Sequence, residues 1–214
     1  MRGRGDGVAP LLRRLGLSET EAEAVRDDLV VRYAEPTRRY HTLEHVRAVL
    51  RHVEALGADP ACRPRHPDAV ELAVWFHDAV YEPGAAGNEA ASAALLRRLL
   101  DGAVDESVLE RAERLVLATD GHRADSTSPD WPDVGVLLDA DLAVLAGSPA
   151  EYRRYVRQVR EEFAFLSDDD WRRGRAGVLR ELTARPLYLT RPMQPREGRA
   201  RANVAQELAA LEAS

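Results

Sequence analysis

Residues 70–81, VELAVWFHDAVY, decide how this chain is read. The run is apolar apart from Glu71 at its start and the adjacent pair His77 and Asp78. A helix over 70–81 is therefore expected to be mostly buried and to carry that pair into the protein interior. Desolvating a carboxylate costs several kcal/mol unless a cation or hydrogen bonds compensate it. An imidazole N–H held by the carboxylate is one solution, and a divalent metal that binds both side chains is the other. For an isolated His-Asp dipeptide the first is the ordinary reading, so the rest of the chain has to decide.

Outward from that run, apolar residues recur at helical spacing almost throughout and strand signals are nearly absent. Upstream, RRYHTLEHVRAVLRHVEAL (38–56) places Val46, Val49, Leu50, Val53 and Leu56 on one helical face, with His41 and His45 four apart near its start. A helix pair is expected before it, over about residues 8–34; a capping box in Ser18-Glu19-Thr20-Glu21 starts the second helix and Pro36 stops it. Downstream, Asn88 is the expected N-cap of a helix beginning EAASAALLRRLL. A helix from about Asp105 to Thr119 then leads into the polar loop DGHRADSTSPDWPD, which carries His122. VGVLLDADLAVLAG (134–147) reads as an apolar helix interrupted by Asp139 and Asp141. Ser148-Pro149-Ala150-Glu151 is a capping box with proline at the first helical position, and Ser167 with Asp170 repeats the start signal. RARANVAQELAALEA makes a last amphipathic helix. The expectation is an all-α, single-domain bundle of about eight to ten helices. Its motif-bearing core covers about residues 40–146, and a helical extension covers 148–214.

At 214 residues the chain is long enough for one helical domain with a proper core. No apolar run approaches the roughly 20 residues of a membrane span, so no membrane partner is expected. The opening MRGRGDG is basic, but no apolar stretch follows it, so no secretory signal is expected. The single cysteine, Cys62, lies in the Pro-rich ADPACRPRHP loop; it excludes an internal disulfide or a multi-cysteine zinc site and points to the cytoplasm. All 30 basic residues are arginine, which excludes Schiff-base and P-loop lysine chemistry. A net charge of -6 with arginines spread along the chain argues against long nucleic acid as a partner, although a local arginine cluster can still hold a phosphate.

Three buried-looking helices thus each present metal-competent groups: His45 on one, His77 and Asp78 on the second, and Asp141, with Asp139 nearby, on the third. Convergence on one site is more economical than three separate burials. Two imidazoles and two carboxylates form a mixed N,O set that suits Mn, Fe, Co, Ni or Zn with positions open to water and substrate, and suits a calcium cage poorly. Asp139 and Asp141 stand about 200 degrees apart on a helix, so only one of them can face such an ion.

The order H…HD…D resembles the HD superfamily of metal-dependent phosphohydrolases. More narrowly, YHTLEHV, WFHDAVY, NEAASA, TDGH and LLDADLAVLAG, in that order over about residues 40–146, resemble a small, largely uncharacterised bacterial group of HD-domain proteins. The resemblance implies His45, His77, Asp78 and Asp141 as metal ligands; Asp141 is preferred to Asp139 because the family's last ligand directly precedes the small apolar turn. It also implies a divalent transition metal as cofactor. The implied activity is hydrolysis of a small phosphorylated substrate, a nucleotide or another phosphomonoester, by a metal-activated water that Asp78 bridges to the metal. The same scaffold can carry a di-iron oxygenase with His41 or His122 as extra ligands, and a noncatalytic binding protein with a structural metal is a third reading.

Around that set, Glu89 is a candidate base or orienter for the water, although an acidic residue in a first helical turn complements the dipole in any case. His41 and His122 are candidate substrate contacts, with a rim residue and a solvated loop residue as their ordinary readings. Arg160 and Arg175 are candidate phosphate forks, and otherwise solvated helix charges. Tyr81 reads as wall, and Asp139 as an acceptor behind the metal or a surface charge. The arginine-rich stretch from Arg191 to Arg201 reads as a solvated face or a contact between copies in a homo-oligomer.

Overall fold

The computed structural model describes residues 7–124, 127 and 130–213, and among these residues the regular structure is entirely helical. In chain order the α-helices are α1 (Val8–Arg14), α2 (Glu19–Tyr33), α3 (Leu43–Gly57), α4 (Pro67–Phe76), α5 (Asn88–Leu100), α6 (Glu106–Leu117), α7 (Asp133–Asp141), α8 (Pro149–Glu162), α9 (Asp168–Thr183) and α10 (Glu197–Ala213). The all-α bundle expected from the periodicity is what forms. No described helix is long and apolar enough to cross a membrane. The basic opening MRGRGD lies outside the described residues, as do Asp125, Ser126, Ser128 and Pro129 of the polar loop.

α4 is the centre because it is apolar on every side. Each residue from Ala69 to Phe76 is buried, and α1, α3, α5, α6 and α7 all pack on it. Burying a side chain such as Leu72 or Phe76 contributes about 1.5–3 kcal/mol, so this short helix anchors much of the core. Even Glu71 is buried, and Arg14 Nη2 of α1 approaches it to 3.2 Å. α3 pairs with α7 through the predicted stripe, of which Val46, Val49, Leu50 and Leu56 are buried. α8 and α10 both pack on the 3-10 turn Leu142–Ala146 that follows α7, so the C-terminal extension folds back over the end of the motif-bearing region.

The local start signals behave as their chemistry dictates. Both capping boxes form, Ser18 with Glu21 and Ser148 with Glu151, and Ser167 Oγ accepts from the Asp170 amide at 3.1 Å. Three boundaries differ from expectation. The run 70–81 is helical only to Phe76; His77 caps the helix and the chain then turns, because Arg38 Nη1 takes the Asp78 carbonyl at 2.7 Å and Ser92 Oγ engages both Val80 N and Val80 O. Asn88 is the first residue of α5 rather than its cap. Gly87, at φ 85, occupies the cap in the left-handed conformation that glycine tolerates best, while the Asn88 amide clasps Glu82 N and Glu82 O, each at 3.0 Å. The helix expected over 134–147 ends at Asp141 and tightens into the 3-10 turn.

Candidate metal centre

The last four carbonyls of an α-helix have no partner within it. In α4 each of them finds one nearby. Ala73 O accepts from His77 N at 2.8 Å and Phe76 O from Ala79 N at 3.0 Å, while Trp75 O accepts from Tyr33 Oη at 3.0 Å. Val74 O accepts from His77 Nδ1 at 2.9 Å. A carbonyl can only accept, so the proton sits on His77 Nδ1 and Nε2 is left to face the site. α3 delivers His45 from its first turn, and α7 delivers Asp141 as its last residue. The C-terminal ends of α4 and α7 carry negative partial charge, which favours a cation beside them.

The three segments meet. His45 Nε2 and His77 Nε2 stand 3.2 Å apart. Asp78 Oδ2 lies 3.1 Å from His77 Nε2 and 3.6 Å from His45 Nε2. Asp141 Oδ1 lies 3.0 Å from His45 Nε2 and 3.6 Å from His77 Nε2. Two neutral imidazole lone pairs at that separation repel, so the pair needs a shared proton or a shared cation. Ligand atoms about 2.0–2.2 Å from an ion sit roughly 3–3.5 Å from one another, close to the 3.0–3.6 Å separations found here. His45, His77 and Asp78 could together hold a metal ion. The charges reinforce one another: burial works against the charged form of His77, yet Asp78 and Asp141 hold its pKa well above the ordinary value. Burial likewise pushes both carboxyls up, but His77 and His41 hold Asp78 below the usual range, and bonds from His122, His45 and His77 hold Asp141 well below it.

His122 leaves its polar loop to join this group. Its Nε2 donates to Asp141 Oδ2 at 2.7 Å, while Arg185 fixes the backbone by bonding the His122 carbonyl at 2.9 Å and that of Gly121. His41 is next to the cluster, with its ring centroid 5.9 Å from that of His45 and 4.2 Å from that of Tyr81. Its Nδ1 donates to Glu162 Oε2 at 2.6 Å. Tyr81 is wall, as expected, but also donates its hydroxyl to the same Glu162 oxygen at 3.1 Å.

Glu162 and Arg38 are the residues that sequence reasoning missed. The Glu162 side chain is 0% exposed; its Oε1 accepts from the amides of Arg39, Tyr40 and His41 at 2.7, 2.8 and 2.9 Å. Burial raises its pKa, but the bond and charge of His41 outweigh that and bring it down to about 2. Its spacing was the one available signal, since Tyr152, Tyr155, Val159 and Glu162 share a helical face. Arg38, with a fully buried side chain, bonds the carbonyls of His41, Asp78 and Ala79 at 3.0, 2.7 and 3.3 Å and lies over the rings of Tyr33 and Tyr81. Together these two residues fasten the turn before α3 to the end of α4.

Other candidates fall elsewhere. Asp139 is 0% exposed and faces away from the cluster: it accepts from Leu189 N at 2.8 Å, Thr190 N at 2.7 Å and Thr190 Oγ1 at 2.5 Å. It is thus neither a surface charge nor an acceptor behind the candidate ligands, but the anchor of the segment before α10. Arg160 bonds the Phe163 carbonyl at 2.9 Å and Asp168 at 2.8 Å, which joins α8 to α9. Arg175 is held by Glu207 at 2.8 Å and by Tyr155 Oη at 3.1 Å. Both guanidinium groups are committed within the fold, so neither is placed as the substrate fork expected of it. Glu89 is half-buried in the first turn of α5 and its side chain makes no hydrogen bond or ion pair among the described residues, so nothing ties it to the cluster.

No family model, curated protein or solved structure matches the chain. The geometry of the site therefore carries the functional reading. A cavity of about 580 Å³ opens onto His45 and Asp141. Tyr40 and Tyr155 form part of its wall, and Ala140, Ala143 and Gly147 leave it room. Its charged lining includes Arg39, Arg51, Arg154, Arg196 and Arg199, with Glu44 and Glu151 among them. Arg196 and Arg199 come from the stretch expected to be a solvated face or a contact between copies; both are exposed, and both line the cavity.

Proposed function

We propose that this chain is a metal-dependent hydrolase of small phosphorylated substrates, a nucleotide or another phosphomonoester, with His45, His77, Asp78 and Asp141 as the ligands of a divalent transition ion. The observation that carries the reading is the 3.2 Å approach of His45 Nε2 to His77 Nε2, flanked by both carboxylates, beside a cavity of about 580 Å³. That volume lies in the range of small-molecule sites. When bound, a divalent ion supplies Lewis acidity that acidifies water and polarises a phosphoryl oxygen. The chain's own groups do the rest. His77, locked by the Val74 carbonyl, presents Nε2 without rotating; His122 holds the outer oxygen of Asp141 and so aims the inner one. Asp78, kept ionised by its histidine neighbours despite burial, can hold and orient an attacking water by accepting its hydrogen bond. His41, whose Nδ1 is held by Glu162, has Nε2 left to give a proton to the departing oxygen.

The test is metal analysis of the purified protein followed by phosphate release from a panel of nucleoside monophosphates and other phosphomonoesters with added manganese. Metal-dependent release that disappears in His77→Ala and in Asp78→Ala is the expected result. Full activity in a His77→Ala, Asp78→Ala double variant would sink the proposal, as would silence of the metal-loaded protein on the whole panel. The contact of His122 with Asp141 supports a second reading, a two-metal centre of the di-iron oxygenase type, because it brings an additional imidazole to the ligand group. Two irons per chain and oxygen uptake without phosphate release would favour it.

A further inference from the structure

Four arginines line the cavity from three parts of the chain: Arg51 from α3, Arg154 from α8, and Arg196 and Arg199 from the start of the last helix and the turn before it. None of the four makes a hydrogen bond or ion pair through its side chain among the described residues. Arg160, Arg175 and Arg201 show the alternative, each being bonded to a carboxylate within the fold. Of the two carboxylates beside the four, Glu151 feels the charges of Arg154 and Arg199, but its Oε2 is already bonded by Ser148 N at 2.8 Å and Ser148 Oγ at 2.7 Å in the cap of α8. Burial and then the charges of Arg196 and Arg51 push the neighbouring His52 towards its neutral form, which marks the wall as electropositive. An arginine-lined wall in a chain of net charge -6 is a local basic patch, and an external anion suits it.

The spacing says where the anion sits. Arg51 follows His45 by six residues on α3, roughly 9 Å further along the helix. One small molecule can span that distance, whereas one phosphate cannot occupy both ends. Four arginine forks also exceed what one carboxylate can use, and they suit the three oxygens and double charge of a phosphate.

We propose that the arginine wall is a second anion subsite, and that the substrate is a bisphosphorylated small molecule with one phosphomonoester beside His45 and Asp141 and the other phosphate on Arg51, Arg154, Arg196 and Arg199. The assignment of the reacting end rests on the phosphohydrolase reading; the anion subsite itself does not. Hydrolysis at the His45 end joins a water oxygen to phosphorus, breaks the ester P–O bond and transfers a water proton to the alcohol, which keeps its second phosphate.

The test uses the full chain loaded with manganese and compares adenosine 5′-monophosphate with adenosine 3′,5′-bisphosphate by titration calorimetry at fixed ionic strength. The bisphosphate is expected to bind at least about tenfold more tightly, since each charge-assisted bond at the second phosphate is worth that much or more. An Arg154→Ala, Arg196→Ala variant, with both changes on exposed side chains, should sharply lower that preference for the bisphosphate. Arg123→Ala, which breaks only an exposed pair with Glu181, should leave the ratio unchanged. Equal affinities in the unmodified protein, a ratio that survives the arginine changes, or no binding of either ligand at millimolar concentration overturns the proposal. The same titration on His77→Ala separates the two readings: affinity lost by both ligands alike reports the metal centre, and the ratio between them reports the arginine wall.

Discussion

Replacing Glu162 by alanine removes one acceptor that serves five donors, three of them backbone amides of residues 39–41. Its carboxyl is held at about 2 rather than 4.5, which corresponds to about 3 kcal/mol in favour of the folded, ionised form. The side chain is fully buried, so solvent screening does not discount that figure, and it agrees with the roughly 3–5 kcal/mol lost when one member of a buried pair is deleted. For a chain of this size the melting temperature should fall by roughly 10 °C. Glu162→Gln should cost about half as much, because the amide oxygen can still receive the three backbone amides while its NH2 must face donors. The pH dependence has a definite sign. A depressed carboxyl stabilises the fold above its unfolded value of 4.5, and the contribution is lost as pH falls through about 2. For His41, burial lowers the pKa but Asp78 and Glu162 more than offset it; a raised imidazole contributes fully below 6.5, and its share fades as pH rises through the raised value. The gap between wild type and Glu162→Ala is therefore widest between pH 4.5 and 6.5 and closes on strong acidification. Thermal melts followed by circular dichroism from pH 3 to 8 check this. A variant that melts within about 2 °C of wild type at pH 6, or a gap that widens towards pH 3, would refute the reasoning.

Two further outcomes are expected. Asp139→Asn should lower stability by about 1–3 kcal/mol through the weakened grip on Leu189 and Thr190, yet keep full metal stoichiometry, whereas Asp141→Asn should reduce metal affinity at least about tenfold; equal metal loss in both variants contradicts the assignment. Metal uptake at pH 7 should release protons, because Asp78 and Asp141 hold His77 protonated and a ligand imidazole must be neutral, so affinity rises with pH. Calorimetry in buffers of different ionisation enthalpy measures this, and identical heats in all of them would contradict it.

What could be read from the sequence was whatever depends on neighbours a few residues away. The stripe of α3 and the caps at Ser18, Ser148 and Ser167 follow from spacing of three or four residues. The meeting of His45 and His77 with one of Asp139 and Asp141 was also legible, because polar groups in apolar helices must find one another or a cation; the choice of Asp141 was implied by the family resemblance alone. The rest depends on partners far along the chain. Nothing near Phe76 announces that Arg38 will take the carbonyls that follow and end the helix there. Glu162 resembles Glu161 beside it until the amides of residues 39–41, more than 120 positions earlier, are brought to it. An arginine on a helix also looks the same whether its fork ends on Asp168, on Glu207 or on nothing, so spacing alone does not separate Arg160 and Arg175 from Arg154.

The anchors of the His45, His77 and Asp141 cluster lie outside the stretch that carries its motifs. Glu162 holds the turn ahead of His45, and Thr190 and Leu189 hold the helix that ends in Asp141. A fragment cut after residue 146, or that stretch grafted into a foreign bundle, would keep every motif letter and lose the parts that aim them.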